Sequence, residues 1–233
     1  MSSISCRNLC KTFHQGEEVI TGLAEVSIEI SEGDFVCLSG PSGSGKTTLL
    51  NALGGLDTPD SGEIRVGDYQ LETLGKGELA DMRLANIGFV FQAYNLIPVL
   101  SARENVEFVM QVQGTSAASR RQRVDEVLAE VGLSGMESRL PSELSGGQQQ
   151  RVAVARAIAS HPRLVLADEP TANLDTRSAA QLMDLFVALH ERGITFVIAT
   201  HDIRVMGYAR RLIKMQDGRI VSDEAQEPHA MAV

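Results

Sequence analysis

Asp34-Phe35-Val36-Cys37-Leu38-Ser39-Gly40-Pro41-Ser42-Gly43-Ser44-Gly45-Lys46-Thr47-Thr48 joins an apolar run to a glycine-rich turn, and a helical stretch over Thr47–Leu53 follows. Residues 40–47 fit the pattern G-x-x-x-x-G-K-[ST], and a strand before with a helix after is the setting a phosphate loop needs. The residue types explain the chemistry. Gly40, Gly43 and Gly45 let the backbone curl until several N–H groups face one anion. The helix N-terminus adds partial positive charge at the same point. Lys46 is expected to reach the β- and γ-phosphates and the Thr47 hydroxyl to ligate Mg²⁺. Ser42, Ser44 and Thr48 complete the residues expected to line the phosphates.

Further apolar runs recur at Ile87–Phe91, Leu164–Ala167 and Thr195–Ala199. Near-continuous apolar strands indicate a sheet buried on both faces. Between them, Val124, Val127, Leu128 and Val131 keep helical spacing, as do Leu182, Leu185, Phe186 and Leu189. This alternation predicts an α/β P-loop NTPase core with a mostly parallel sheet. Two regions depart from it. Ala93–His161 carries only helical patterns, near 103–113, 119–132 and 148–160, and reads as an inserted helical subdomain. Ile4–Lys11 and Val26–Ile30 alternate as strands of a small antiparallel sheet, which Gly62–Val66 joins. The expected organisation is one domain over residues 3–223. Residues 1–92 and 162–223 form the core with its β subdomain, residues 93–161 the helical subdomain, and residues 224–233 a frayed tail.

The 233 residues are 43% hydrophobic and 22% charged, an ordinary globular balance. Thirty acidic residues against twenty-one basic ones leave a net charge of −9, which argues against nucleic acid as a partner. No apolar run approaches the roughly 18–20 residues of a membrane span. Met1–Arg7 has no apolar signal-peptide core, so a cytoplasmic location is expected. Cys6, Cys10 and Cys37 are odd in number and lack zinc spacing with histidine, so reduced thiols are expected.

A second group of polar residues stands at the ends of the apolar runs. Arg163–Ala167 leads into Asp168-Glu169-Pro170. Acids at the C-terminal end of a parallel strand face the ligand crevice. Asp168 fits the role of holding Mg²⁺, directly or through water, and Glu169 that of polarising the attacking water. His201 follows the Thr195–Ala199 run and is placed to contact the γ-phosphate. Gln92 follows Ile87–Phe91, and its amide can ligate Mg²⁺ or water. Leu144-Ser145-Gly146-Gly147-Gln148 opens another helix with small residues, exposed N–H groups and a hydroxyl, which makes a second anion site. One ATP on the phosphate loop leaves that site without a phosphate. A head-to-tail pair of chains resolves this, each offering Ser145–Gln148 to the ATP of the other.

The phosphate loop, Gln92, Leu144–Gln148, Asp168-Glu169, Asn173-Leu174-Asp175 and His201 resemble, in order and spacing, the motifs of the ATP-binding cassette (ABC) ATPases. The likeness covers about residues 3–223. It implies ATP and Mg²⁺ as cofactors and a two-fold dimer with two ATPs at its interface. Ser145, Gly146, Gly147 and Gln148 would then contact the partner's nucleotide, and Asp175 would communicate across the interface. Phe13 resembles the aromatic that stacks on adenine, where tyrosine is more usual. Phe89–Val106, Gly54–Asp57 and Ala167–Asp175 are similar to the LolD, MacB and FtsE group of lipoprotein-release, macrolide-export and cell-division ATPases. That resemblance implies an integral membrane permease partner with an extracytoplasmic domain, and a peripheral place on the cytoplasmic face of the inner membrane. The apolar stretch Tyr94, Leu96–Leu100 would offer the partner a groove beside the helical subdomain. The alternative is an ABC ATPase that works without a membrane subunit. A P-loop kinase or GTPase lacks the Leu144–Gln148 signature.

Overall fold

Phe35 and Cys37 enter one hydrophobic cluster, whereas Val36 and Leu38 between them enter another. That split is what a strand covered on both faces requires, because successive side chains point to opposite sides. The computed structural model describes residues 2–16 and 18–227. In chain order its elements are β1 (Ser2–Gln15), β2 (Glu18–Ser31), β3 (Phe35–Ser39), α1 (Lys46–Leu53), β4 (Ser61–Val66), β5 (Tyr69–Gln70), α2 (Lys76–Asn86) and β6 (Ile87–Val90). Then come α3 (Ala102–Val112), α4 (Ala117–Glu130), α5 (Gly146–Ala159), β7 (Leu164–Asp168), α6 (Thr176–Glu191), β8 (Thr195–Ala199), α7 (Ile203–Met206), β9 (Arg211–Gln216) and β10 (Arg219–Ala225).

The larger sheet has the order β10-β9-β3-β8-β7-β6, parallel from β9 to β6, with β10 antiparallel at its edge. The smaller sheet, β2-β1-β4-β5, is antiparallel throughout. Both agree with the expected mixture of a parallel core and an antiparallel β subdomain. The C-terminal ends of β3, β7 and β8 lie side by side, so Gly40, Asp168 and Thr200 emerge along one edge.

The helices of the 93–161 segment start where the sequence carries caps. Ser101 and Ser145 each accept from the N–H three residues on, and Glu104 and Gln148 answer with capping boxes. This segment has no core of its own. Val106, Met110, Val124 and Leu128 share one cluster with Val165 and Phe196 of the sheet and Phe186 of α6. The second half of α5 lies directly on β6: a Cβ at Gly88 would overlap the Ala157 carbonyl oxygen.

Three features depart from the sequence reading. Helix α2 escapes the apolar pattern because Met82 is its only buried residue. The β9–β10 hairpin, absent from the expected elements, turns at Asp217-Gly218, both in the left-handed region at φ 49° and 74°, a dipeptide that favours such a turn. The tail expected to fray from residue 224 is instead held through Gln226. Strand β10 extends to Ala225, and the Gln226 amide donates to the carbonyls of Met206 (2.6 Å) and Ala209 (2.8 Å). The remainder of that expected tail, residues 228–233, lies outside the described residues.

Candidate functional site: a nucleotide edge and a separate signature turn

The phosphate loop occupies the turn between β3 and α1. Gly40 has φ 147° and Gly45 has φ 98°. A Cβ at the first would overlap the Met215 carbonyl oxygen, and at the second the Gly22 carbonyl oxygen. Glycine is therefore required twice over, by dihedral and by space. Lys46 is buried and donates to the carbonyls of Gly40 (2.8 Å) and Pro41 (3.0 Å). An ammonium has three donors, so one remains for an anion in the loop. Thr48 and Phe13 both approach Gly22: a Cβ there would stand 3.2 Å from Thr48 Cγ2 and 2.6 Å from the Phe13 ring. Phe13 is thus brought beside the start of α1. Its ring stays 40% exposed, with Lys11 Nζ 5.6 Å from the centroid, and offers a face for stacking.

Thr47 Oγ1 donates to Asp168 Oδ1 at 3.2 Å, closing the gap between the loop and the end of β7. Burial raises the Asp168 carboxyl above the usual carboxylate range. The neighbouring Glu169 charge pushes the same way, and the Thr47 hydroxyl and Lys46 oppose it. Two hard oxygen donors suit Mg²⁺, which takes few protein ligands and completes its shell with phosphate and water. Among the described residues no cluster of three or more His, Cys, Asp and Glu would hold a metal by itself.

Glu169 adopts φ 45°, a left-handed conformation that costs a glutamate about 1–3 kcal/mol. Neighbouring strands hold it there. Its N–H donates to the Ala199 carbonyl at 2.8 Å, Thr200 Oγ1 donates to Oε2 at 3.0 Å, and His201 Nδ1 lies 2.7 Å from Oε1. The sequence reading aims His201 at the γ-phosphate; the structure places its ring against Glu169, with 70% of the side chain exposed. Thr200, which ties the two together, carries no motif of its own and was missed.

Gln92 is exposed at the start of the loop after β6, and its backbone is held from several sides. Asn173 Nδ2 donates to the Gln92 carbonyl at 3.0 Å. Arg156 of α5 donates to the carbonyls of Tyr94 (2.9 Å) and Asn95 (2.6 Å), two successive residues with positive φ. Leu96 packs on the core, and Asn105 caps the carbonyls of Ile97, Leu100 and Ser101, whereas Val99 is 79% exposed. The apolar stretch 94–100 is therefore partly committed to internal packing. Beside it, Leu56, Leu84, Phe89, Phe91, Val109 and Arg156 line a cavity of about 390 Å³ between α2, β6, α3 and α5.

The signature turn packs on the loop after Gln92 and on α6. Nearest to Gly146 and Gly147 are Tyr94, Asn173 and Ser178, none of them from the phosphate loop. A Cβ at Gly146 would meet Tyr94 Oη at 2.9 Å, and one at Gly147 would meet Ser178 Oγ at 3.0 Å. These glycines thus have a packing role that the sequence reading did not contain. Asp175 caps α6. Its carboxylate accepts from Ser178 N (3.0 Å) and Oγ (2.6 Å), which holds its pKa below the ordinary value.

A family model described as ABC transporter matches residues 23–172. The chain belongs to the ABC transporter family. It is 43% identical over 232 residues to the macrolide export ATP-binding/permease protein MacB of Neisseria meningitidis, covering 100% of this chain and 36% of that protein. The chain thus spans little more than a third of the MacB relatives it matches. It is 46% identical over 210 residues to an uncharacterized ABC transporter ATP-binding protein of Thermotoga maritima, with 90% of each covered. Among solved structures, the ATP-binding cassette MJ0796, a dimer bound to ADP and Pi after hydrolysis, superposes with a TM-score of 0.90 at 42% identity over 96% of this chain and 99% of that one. These likenesses agree with the LolD, MacB and FtsE group. The fold is that of an ABC ATPase.

Proposed function

We propose that this chain is the ATP-hydrolysing unit of a MacB-type export or mechanotransmission complex, working as a head-to-tail pair around two ATPs. The observation that carries this reading is the separation of the two anion sites. Gly40–Thr48 gathers with Met215 and Gly22, and Ser145–Gln148 gathers with Tyr94 and Ser178. No atom of the phosphate loop is among those packed closest on Gly146 and Gly147, and a second copy would bring its signature turn to a phosphate held at the first site.

In this reading Phe13 stacks on adenine, and Gly40, Ser42, Gly43, Ser44, Gly45, Lys46, Thr47 and Thr48 hold the phosphates. Thr47 and Asp168 would hold Mg²⁺, with Gln92 as a further ligand, and the bound ion would supply positive charge to the phosphate oxygens. Glu169, oriented by Thr200 and His201, accepts a proton from the attacking water. Ser145, Gly146, Gly147 and Gln148 close on the other chain's ATP, and Asp175 sits where the two chains meet. An integral membrane permease with an extracytoplasmic domain is the proposed partner. A short helix of that partner would enter the cavity between Phe89 and Val109 and hold the chain at the cytoplasmic face. Lipoprotein release is one candidate task among those of the group.

The test is the mass of the Glu169→Gln variant by size exclusion with light scattering, at saturating ATP. A dimer is expected, and adding Ser145→Arg should return it to monomer. A monomer with ATP binding confirmed, or a dimer that survives Ser145→Arg, refutes the sandwich.

A further inference from the structure

Gln150 is fully buried, yet it stands one turn inside the helix that the signature turn begins. Its Nε2 donates to the Pro170 carbonyl at 2.7 Å and approaches the Phe91 carbonyl at 3.4 Å. Two carbonyl oxygens face the amide, so the nitrogen must be the atom turned toward them. Its Oε1 is buried without a hydrogen-bond partner. A wholly buried amide with one end unpaired is a stability cost that a methionine or leucine would avoid.

The two carbonyls explain what the amide does there. Pro170 directly follows Glu169, and Phe91 directly precedes Gln92. Helix α5 starts at the Ser145 cap. One side chain therefore ties the Pro170–Thr171 peptide, one residue beyond Glu169, the Phe91–Gln92 peptide and the signature helix. Other links between these parts are pairwise: Asn173 to Gln92, Tyr94 to Asn173, and Arg156 to the loop at Tyr94 and Asn95.

We propose that the Gln150 carboxamide is a positioning residue for ATP hydrolysis, fixing Gln92 and Glu169 relative to each other and to the signature turn. It touches neither nucleotide nor reacting atoms and acts through the backbone of its neighbours. The inference rests on the reading of Glu169 as the base. Gln150→Met tests it, because methionine has nearly the same volume and shape. This change removes the orphaned Oε1 and leaves the Pro170 carbonyl without its donor, while the Phe91 carbonyl keeps the Tyr94 N–H at 3.2 Å, so one unpaired acceptor replaces another and the melting temperature should hold. The phosphate loop is untouched.

Turnover is measured for the purified full chain with Mg-ATP, alongside Glu169→Gln as the reference for chemistry. We expect kcat of Gln150→Met to fall about tenfold or more, with KM for ATP, ADP affinity and melting temperature unchanged. Gln150→Glu, which keeps the shape but turns an oxygen toward both carbonyls, should lose more than the methionine variant. If Glu169→Gln is dead and Gln150→Met turns over within twofold of the parent, the positioning role is wrong and the base assignment stands. If Glu169→Gln keeps parental turnover, the base assignment itself fails. A loss in Gln150→Met that only tracks a smaller fraction of ATP-binding-competent protein makes the residue merely structural and overturns the proposal. A Gln150→Glu variant as active as the parent does the same.

Discussion

Thr200→Val removes one hydroxyl and nothing else of size, and that hydroxyl makes two bonds. It donates to Glu169 Oε2 at 3.0 Å and accepts from Asp202 N–H at 3.0 Å. Thr200 is fully buried, so water cannot take its place. A hydrogen bond to a charged group contributes about 1.5–3 kcal/mol, and the Asp202 N–H, on a half-buried residue, can turn to solvent at small cost. A loss of about 2 kcal/mol follows. For a chain of this size each 1 kcal/mol shifts the melting temperature by roughly 2–4 °C, so a fall of about 4–8 °C is expected by circular dichroism. The same bond fixes the Glu169 carboxylate on a backbone already strained at φ 45°. If about 1.4 kcal/mol of it is felt in the transition state, kcat falls tenfold while ATP affinity is kept. Thr200→Ser keeps the hydroxyl and should keep most of the turnover. A valine variant with parental kcat and a melting temperature within about 1 °C refutes the reasoning, as does a serine variant whose kcat falls as far.

Lys46→Ala should abolish tight ATP binding, because it removes the ammonium that ties Gly40 and Pro41 and leaves one donor for phosphate; calorimetry with unchanged affinity contradicts the site. Burial pushes the Cys6 and Cys37 thiols up to about 12, whereas Cys10 is only half-buried, so alkylation of the native chain at pH 8 followed by mass spectrometry should mark Cys10 alone. Arg211 grips Asp223 through two 2.7 Å bonds and depresses its pKa. The pair therefore stabilises the fold above the unfolded-state value of about 3.9 and loses its effect as pH falls through the depressed value. Asp223→Asn should be less stable than the parent at pH 7 by up to about 1 kcal/mol, and the gap in urea midpoints should close in acid.

The nucleotide edge was legible because its chemistry depends on residue type at short range. Gly40–Thr48 must be glycine-rich to curl, Asp168 and Glu169 must end an apolar strand, and Ser145 with Gln148 must cap a helix. Each requirement sits within a few consecutive residues. The strands were legible for the same reason: Phe35–Leu38 and Phe196–Ala199 are apolar throughout because both their faces are covered. Helix α2 was not, since a helix that buries only Met82 leaves almost no periodic trace.

The order of residues specifies the set of parts: a phosphate loop, a strand ending in two acids, a capped signature turn, and helical and antiparallel additions to a parallel core. How the parts hold one another depends on the packing of distant elements. Thr200 reaches Glu169 because β7 and β8 pair in register, with Asp168 opposite Ala199. His201 rests on Glu169 for the same reason. Gly146 and Gly147 owe part of their size to Tyr94 and Ser178, which are remote in the chain. Gln150 reads as one more polar residue after a signature until the fold sets Pro170 and Phe91 at its amide. Local pattern records what a residue does for its own turn or strand. It carries no record of a bond between elements, because the partner is set by register and packing far along the chain.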